Sequence, residues 1–450
     1  MRRTIHLRFE GLLMIPTRSN SSRRRNTLLA SVSLAAVALS TALTSPLSAS
    51  AVSGPGIIIC PPQITKIGTV VSHEVLDGGS GSGFDASITS GALPDGLVID
   101  DTSGSSPRIA GTPTKVGSYA FHLHFANNVG GAGDKTCVMD IVPSTSIVER
   151  IDGDDRYEVA AHIAQLIAPA KTPLVYVASG ENYSDALSAS AIAAQHNAPL
   201  VLATSSGFTN YAYNVVNLFQ AADVVLVGGE NSLTRKVEDE LHAMSSHPKV
   251  TRIGGADRFE VSRNLISNPK FGAMASTSIS VASGLKFPDA LSASPAAAKI
   301  KTPVLLVNGE ATAISAVEKA LLTSRGVTSA TVFGGEDTLS AAVAADIKSV
   351  TGALSRIEGF DRFVVSANIT AANYTAPVDT IYFATGANYP DALAGGVLAG
   401  IDGSPILLVR KNCVQPEVAA QVRRLAPKHI VLLGGPNSLD ANLENLPLCS

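Results

Sequence analysis

Three polar positions return at near-constant spacing through residues 150–450. They are the arginine of a D-R-[YF] step (Arg156, Arg258, Arg362), the aspartate of a D-A-L step (Asp185, Asp289, Asp391), and the Arg-Ile opening each copy (Arg150, Arg252, Arg356). A guanidinium presents a planar fork of donors that matches phosphate or carboxylate oxygens. Three such forks suit a polyanion, but an Arg–Asp pair also clips one helix start to another, and both readings stand at this stage. Enzyme signatures are missing: there is no G-x-S-x-G or H-E-x-x-H, and no histidine recurs, so catalysis is not expected. The acidic cluster Asp152, Asp154 and Asp155 is not repeated as a cluster in the other copies, which argues against a calcium loop. His122 and His124 share one face of an expected strand and read as solvent-facing rather than metal-binding. Glycine pairs begin at Gly228, Gly334 and Gly434. Without G-x-G-x-x-G or G-x-x-x-x-G-K-[ST] they read as tight strand-to-helix turns, and no cofactor is expected. Aromatics recur at Tyr157, Phe259 and Phe363 and at Tyr183, Phe287 and Tyr389 as core or loop plugs. The absence of Trp favours charge-based recognition over sugar stacking.

The elements carrying these residues repeat three times. RIDGDDRY (Arg150–Tyr157) returns as RIGGADRF (Arg252–Phe259) and RIEGFDRF (Arg356–Phe363); ASGENYSDALSA returns as ASGLKFPDALSA and ATGANYPDALAG; and PLVL, PVLL and PILL begin at Pro199, Pro303 and Pro405. Four motifs in one order, three times over, define three units spanning 150–251, 252–355 and 356–450. Within the first unit, Asp154 is placed to cap a helix whose apolar residues fall at helical spacing. Short apolar strands at 174–178, 200–203 and 224–227 alternate with an Ala-rich helix over 185–195 and with helices covering 215–219 and 235–244, the last capped by Asn231 or Ser232. That alternation predicts an α/β fold of doubly wound, Rossmann-like units with a parallel sheet covered on both faces.

The rest of the chain has a different character. Residues 52–143 are rich in Gly and Ser, with turn signals between short alternating stretches such as Tyr119–Phe125, as in a small antiparallel sandwich; residues 144–149 read as a linker. The four cysteines pair most economically within their own regions, Cys60 with Cys137 and Cys413 with Cys449. Residues 1–51 hold seven arginines against one acid, Glu10. The cluster Arg23–Arg25, the apolar run 28–43 and Ala49-Ser50-Ala51 form a signal peptide, with translation starting at Met1 or Met14. No other run is apolar enough to span a bilayer, so no membrane association is expected after cleavage. The whole chain carries −3, so removing that segment leaves an acidic product ill suited to nucleic acid.

Two resemblances follow from these residues. The string LPDGLVIDDTSGSSPRIAGTPTKVGSYAFHLHFAN resembles the immunoglobulin-like domains of bacterial surface proteins, which implies a spacer or a surface for a protein partner. The R-[IL]-x-G-x-D-R-[YF], D-A-L, P-[IVL]-[LV]-L and Gly-Gly elements resemble cell wall-binding repeats of the type 2 family over Arg150 to Ser450. That resemblance implies a pseudo-threefold disc of three units with the P-L-V-L, P-V-L-L and P-I-L-L strands lining its centre. It also implies non-covalent anchoring to an anionic, teichoic-acid-like wall polymer, with Arg156, Arg258, Arg362, Asp185, Asp289 and Asp391 as the groove residues. An exported, non-catalytic wall protein is the expectation; a modifier of a secreted peptidoglycan hydrolase and a surface-layer subunit are its rivals.

Overall fold

The computed structural model describes residues 57–58, 60–61, 64–77, 84–100, 107–115, 117–127, 132–142 and 147–449. The expected signal segment 1–51 and residues 144–146 of the expected linker lie outside them.

The first described region is all β. It comprises β1 (Ile57–Ile58), β2 (Ile64–Lys66), β3 (Val71–Glu74), β4 (Leu76–Asp77), β5 (Phe84–Gly91), β6 (Leu97–Asp100), β7 (Arg108–Gly111), β8 (Gly117–Asn127) and β9 (Ala132–Val142). One sheet has the order β2-β9-β8-β5 and another β3-β7-β6; all these pairings are antiparallel except β2 with β9. Alternation in β8 sends Phe121, Leu123 and Phe125 inward, where they meet Val71, Leu97 and Ile109 of the other sheet in one core. His122 and His124 take the opposite face and engage Thr136 and Asp134. Cys60 and Cys137 are disulfide-bonded, as are Cys413 and Cys449.

The α/β part begins with β10 (Ile147–Ile151), α1 (Arg156–Ile167), β11 (Leu174–Ser179), α2 (Tyr183–Gln195), β12 (Leu200–Ala203), α3 (Asn210–Phe219), β13 (Asp223–Val227) and α4 (Arg235–His242). It continues through β14 (Lys249–Ile253), α5 (Arg258–Ser267), β15 (Ser278–Ser283), α6 (Pro288–Lys299), β16 (Val304–Val307), α7 (Ala316–Ser324), β17 (Ser329–Phe333) and α8 (Ala341–Thr351). The last copy holds β18 (Ala353–Ile357), α9 (Arg362–Asn373), β19 (Thr380–Thr385), α10 (Pro390–Asp402), β20 (Ile406–Val409), α11 (Pro416–Leu425) and β21 (His429–Leu433). Strand β10 opens at Ile147, inside the span read as a linker.

Each unit contributes three strands to a four-stranded parallel sheet, and the fourth is the opening strand of the next unit. The orders are β12-β11-β13-β14, β16-β15-β17-β18 and β10-β21-β19-β20. Because β10 of the first unit pairs with β21 of the third, the exchange closes into a ring. Strand side chains are buried on both faces. Val175, Val177 and Val201 meet Val215, Phe219 and Val237 on one side, while Tyr176, Ala178 and Leu202 join the second core on the other. Burying a Val or Leu side chain gives about 1.5–3 kcal/mol, so these apolar strands need no alternation.

Three details depart from the sequence reading. Asp155, not Asp154, caps α1, accepting from Tyr157 N and Glu158 N. The α4 cap position is Thr234 rather than Asn231 or Ser232. The centre of the ring is formed by α2, α6 and α10, which pack on one another, while β12, β16 and β20 are edge strands flanking them. Small residues permit this: a side chain at Gly396 would strike Ser190, and one at Gly400 would strike Ala194 and Ala298.

Among the described residues, an ion pair between Asp140 of β9 and Arg423 of α11 joins the β region to the ring. The aspartate is fully buried.

Candidate binding site

The recurring residues gather where successive units meet, at the carboxyl ends of the strands. Each D-R-[YF] aspartate (Asp155, Asp257, Asp361) caps the helix that its arginine begins. The arginine folds across the turn after β11, β15 or β19: Arg156 donates to Gly180 O at 2.7 Å, Arg258 to Gly284 O at 2.8 Å, and Arg362 to Gly386 O. These turns hold glycine because a Cβ there would strike the neighbouring Tyr157, Phe259 or Phe363 ring.

The guanidinium of each arginine then reaches the preceding unit. Arg258 lies 5.3 Å from the Tyr183 ring centroid, Arg362 5.6 Å from Phe287, and Arg156 5.9 Å from Tyr389. The three rings pack on one another at 5.3–5.8 Å between centroids, so the aromatic cluster is one feature ringed by three cations. Tyr183 OH donates to Leu285 O, and Tyr389 OH to Glu181 O; Phe287 has no hydroxyl to do likewise. No ion pair joins these arginines to an acid among the described residues. Apart from the Nη1 bonds to glycine carbonyls and to Tyr183 OH, their Nε and Nη2 atoms have no protein acceptor among those residues. Arg362 is exposed; Arg156 and Arg258 are half-buried.

Asp185, Asp289 and Asp391 sit in the first turns of α2, α6 and α10 and are nearly fully buried. Burial pushes the Asp289 carboxyl up to about 6, although the Thr338 hydroxyl and the charges of Arg362 and Lys286 pull the other way. Burial raises Asp185 against Ser232, Arg258 and Ser184, and Asp391 against Ser438 and Arg156. Each carboxyl thus feels the arginine of the following unit, around the whole ring. The Asp185 Oδ2 is buried without a hydrogen-bond partner among the described residues. The clip reading takes a looser form here: arginine and aspartate are electrostatic neighbours across a unit boundary, not a bonded pair.

The glycine pairs serve these aspartates. Gly228, Gly334 and Gly434 all have positive φ, and a Cβ on any of them would collide with Oδ2 of Asp185, Asp289 or Asp391. The opening arginines fix the same turns. Arg150, Arg252 and Arg356 donate to the carbonyls of Gly434, Gly228 and Gly334, and to those of Leu439, Leu233 and Leu339. These three arginines are therefore structural, whereas Arg156, Arg258 and Arg362 keep donors in reserve. Lys286 and Arg410, exposed cations beside this site, do not recur in the other units; in the sequence only their position next to recurring motifs marks them.

Comparison with known proteins bears on this arrangement. The family model for cell wall binding domain 2 (CWB2) matches residues 150–238, 252–344 and 356–444. An N-acetylmuramoyl-L-alanine amidase, LytC, of Bacillus subtilis is 29% identical over 300 residues, covering 66% of this chain and 57% of its own length. The amidase enhancer of the same organism is 26% identical over 303 residues, covering 67% of this chain and 40% of its own. The chain thus spans about half the length of these relatives. Among solved structures, Cwp6 from Clostridium difficile aligns with a TM-score of 0.62 at 18% identity, over 87% of this chain and 68% of Cwp6. Cwp8 from the same organism aligns with a TM-score of 0.57 at 18% identity, over 81% of this chain and 62% of Cwp8. These two similarities concern the fold.

Proposed function

The chain belongs to the cell wall binding domain 2 family, a family of cell-wall-binding modules, and on that premise we propose that it is an exported, non-catalytic protein held at the wall by anionic secondary polymers. The observation that carries this reading is the ring of Arg156, Arg258 and Arg362, each with guanidinium donors unspent by the fold. The ligand groups are the phosphates or carboxylates of a teichoic-acid-like chain, contacted at more than one seam so that weak contacts multiply through effective concentration. Asp185, Asp289 and Asp391 lie buried beside the same arginines, each carboxyl raised by burial and opposed by the arginine of the following unit.

In this reading the three units are Rossmann-like and form a pseudo-threefold disc. The β region is an immunoglobulin-like spacer that projects a protein partner from the wall. Similarity to the amidase enhancer favours a second role, modification of a separate wall hydrolase brought to the same polymer.

The test replaces Arg156, Arg258 and Arg362 together by Gln, which keeps much of each stem and removes the charge. Retention on purified walls should fall steeply with the melting temperature little changed, and wild-type retention should weaken with salt. Full retention by a well-folded triple variant would remove these arginines from the site.

A further inference from the structure

The three seams are built from equivalent positions, yet their charges differ. At the seam of the second and third units, Arg362 lies over Phe287 of the second unit, and Lys286, the residue before that ring, acts with it on Asp289. Arg410, which follows β20, places its guanidinium 5.9 Å from the centroid of Phe363, and Phe363 and the Arg362 stem pack on the same Gly386 turn. Lys286, Arg362 and Arg410 are all exposed and form no ion pair among the described residues. Lys411 follows as a further exposed cation.

The other seams are poorer in cations at these positions. Between the first and second units, Arg258 is accompanied by Asn182 and Asn308 in the places of Lys286 and Arg410. Its Nη1 is shared with Tyr183 OH, a bond that Phe287 cannot offer Arg362. Between the third and first units, Arg156 is accompanied by Asn388 and Thr204, and Glu181 adds a carboxylate where the richest seam has Ala387. The acids Glu336 and Asp337 lie close to Lys286, whose ammonium donates to Asp337 O, so the contrast rests on Arg362 and Arg410 rather than on the lysine.

We propose that the seam between the second and third units is the principal anion subsite of this chain, with Arg362 and Arg410 gripping one phosphate or carboxylate group of the polymer and the other two seams adding weaker contacts. This rests on the wall-polymer reading above and adds a rank order to it. Two guanidinium forks on one seam bind an oxyanion that spans them more strongly than one, and their attraction falls as salt screens it.

The experiment uses the whole secreted chain and two soluble probes, polyglycerol phosphate and polygalacturonate, so that phosphodiester and carboxylate sources are read separately. The variants are R362Q/R410N, R258Q and R156Q; Arg410→Asn installs the residue that the second unit already carries at this position. R362Q/R410N should lose tenfold or more in affinity for at least one probe and flatten the salt dependence, while R258Q and R156Q each lose about threefold or less. As a converse test, N308R should gain affinity. Equal losses at all three seams would overturn the rank order and leave polymer binding intact. No loss in any variant, the triple R156Q/R258Q/R362Q included, would overturn the polymer reading and this proposal with it. Melting temperatures within a few degrees of wild type confirm that each comparison reads binding rather than folding.

Discussion

Asp289→Asn tests the electrostatics of the site most sharply, because the fold holds this carboxyl where its charge is costly. Asp289 is 5% exposed, and burial displaces it from 3.8 to about 6. Its folded pKa lies above its unfolded one. The associated stability is therefore fully present below about pH 3.8, declines as pH rises and is lost once pH passes about 6. At about 1.4 kcal/mol per pH unit, the ionised carboxylate costs about 3 kcal/mol at neutral pH. Asparagine removes the titration and keeps an oxygen for Thr338. At pH 7.5 the variant should be the more stable by up to about 3 kcal/mol, or roughly 6–12 °C in Tm for a cooperative unit of 150–250 residues. That advantage should shrink toward pH 4. Denaturant unfolding of both proteins at several pH values isolates the effect, because other carboxylates cancel in the difference. A variant less stable at pH 7.5, or a difference independent of pH, would refute the reasoning. If stability rises while wall retention falls, the carboxylate is kept for binding at the expense of folding.

Other outcomes follow from the same geometry. Arg252→Met removes a fork that holds Gly228 O, Leu233 O and Glu238; chemical denaturation should show a loss of about 3 kcal/mol, only partly restored by Arg252→Lys, which cannot reproduce the fork. Gly228→Ala places a Cβ 2.6 Å from Asp185 Oδ2 at φ +126°, so it should lose more than about 1 kcal/mol. Combining it with Asp185→Ala should recover part of that loss. Replacing Cys60 and Cys137 together by Ala should destabilise the β region by ~2–4 kcal/mol, read as an earlier transition by calorimetry.

Much of this fold was legible because one chain carries three versions of the same unit. PLVL, PVLL and PILL could be placed as strands from their apolar runs, and the helices from their spacing. What recurrence concealed was exchange between units. Arg150, Arg252 and Arg356 look like the first residues of their own units, but their strands complete the preceding sheet. Nothing local in R-I-x-G states that pairing, because a parallel strand is chosen by tertiary packing rather than by its neighbours in sequence. The Asp155 cap was misplaced by one residue because adjacent aspartates are equally good caps and only the backbone angle decides between them. The glycine pairs were recognised as turns, yet their dependence on Asp185, Asp289 and Asp391 is a contact across about 40 residues. Lys286 and Arg410 are hidden for the opposite reason: each occurs in one unit alone, with Asn182 and Asn388 or Thr204 and Asn308 at the equivalent places, so repetition does not point to them.

The measurement that bears most directly on the central claim is co-sedimentation of the purified chain with Gram-positive cell walls before and after chemical removal of their anionic polymers. Saturable binding to intact walls, lost on stripping, restored when the walls are recoated with the isolated polymer and inhibited when that polymer is added free as a competitor, is the expected result. Undiminished binding to bare peptidoglycan would contradict it.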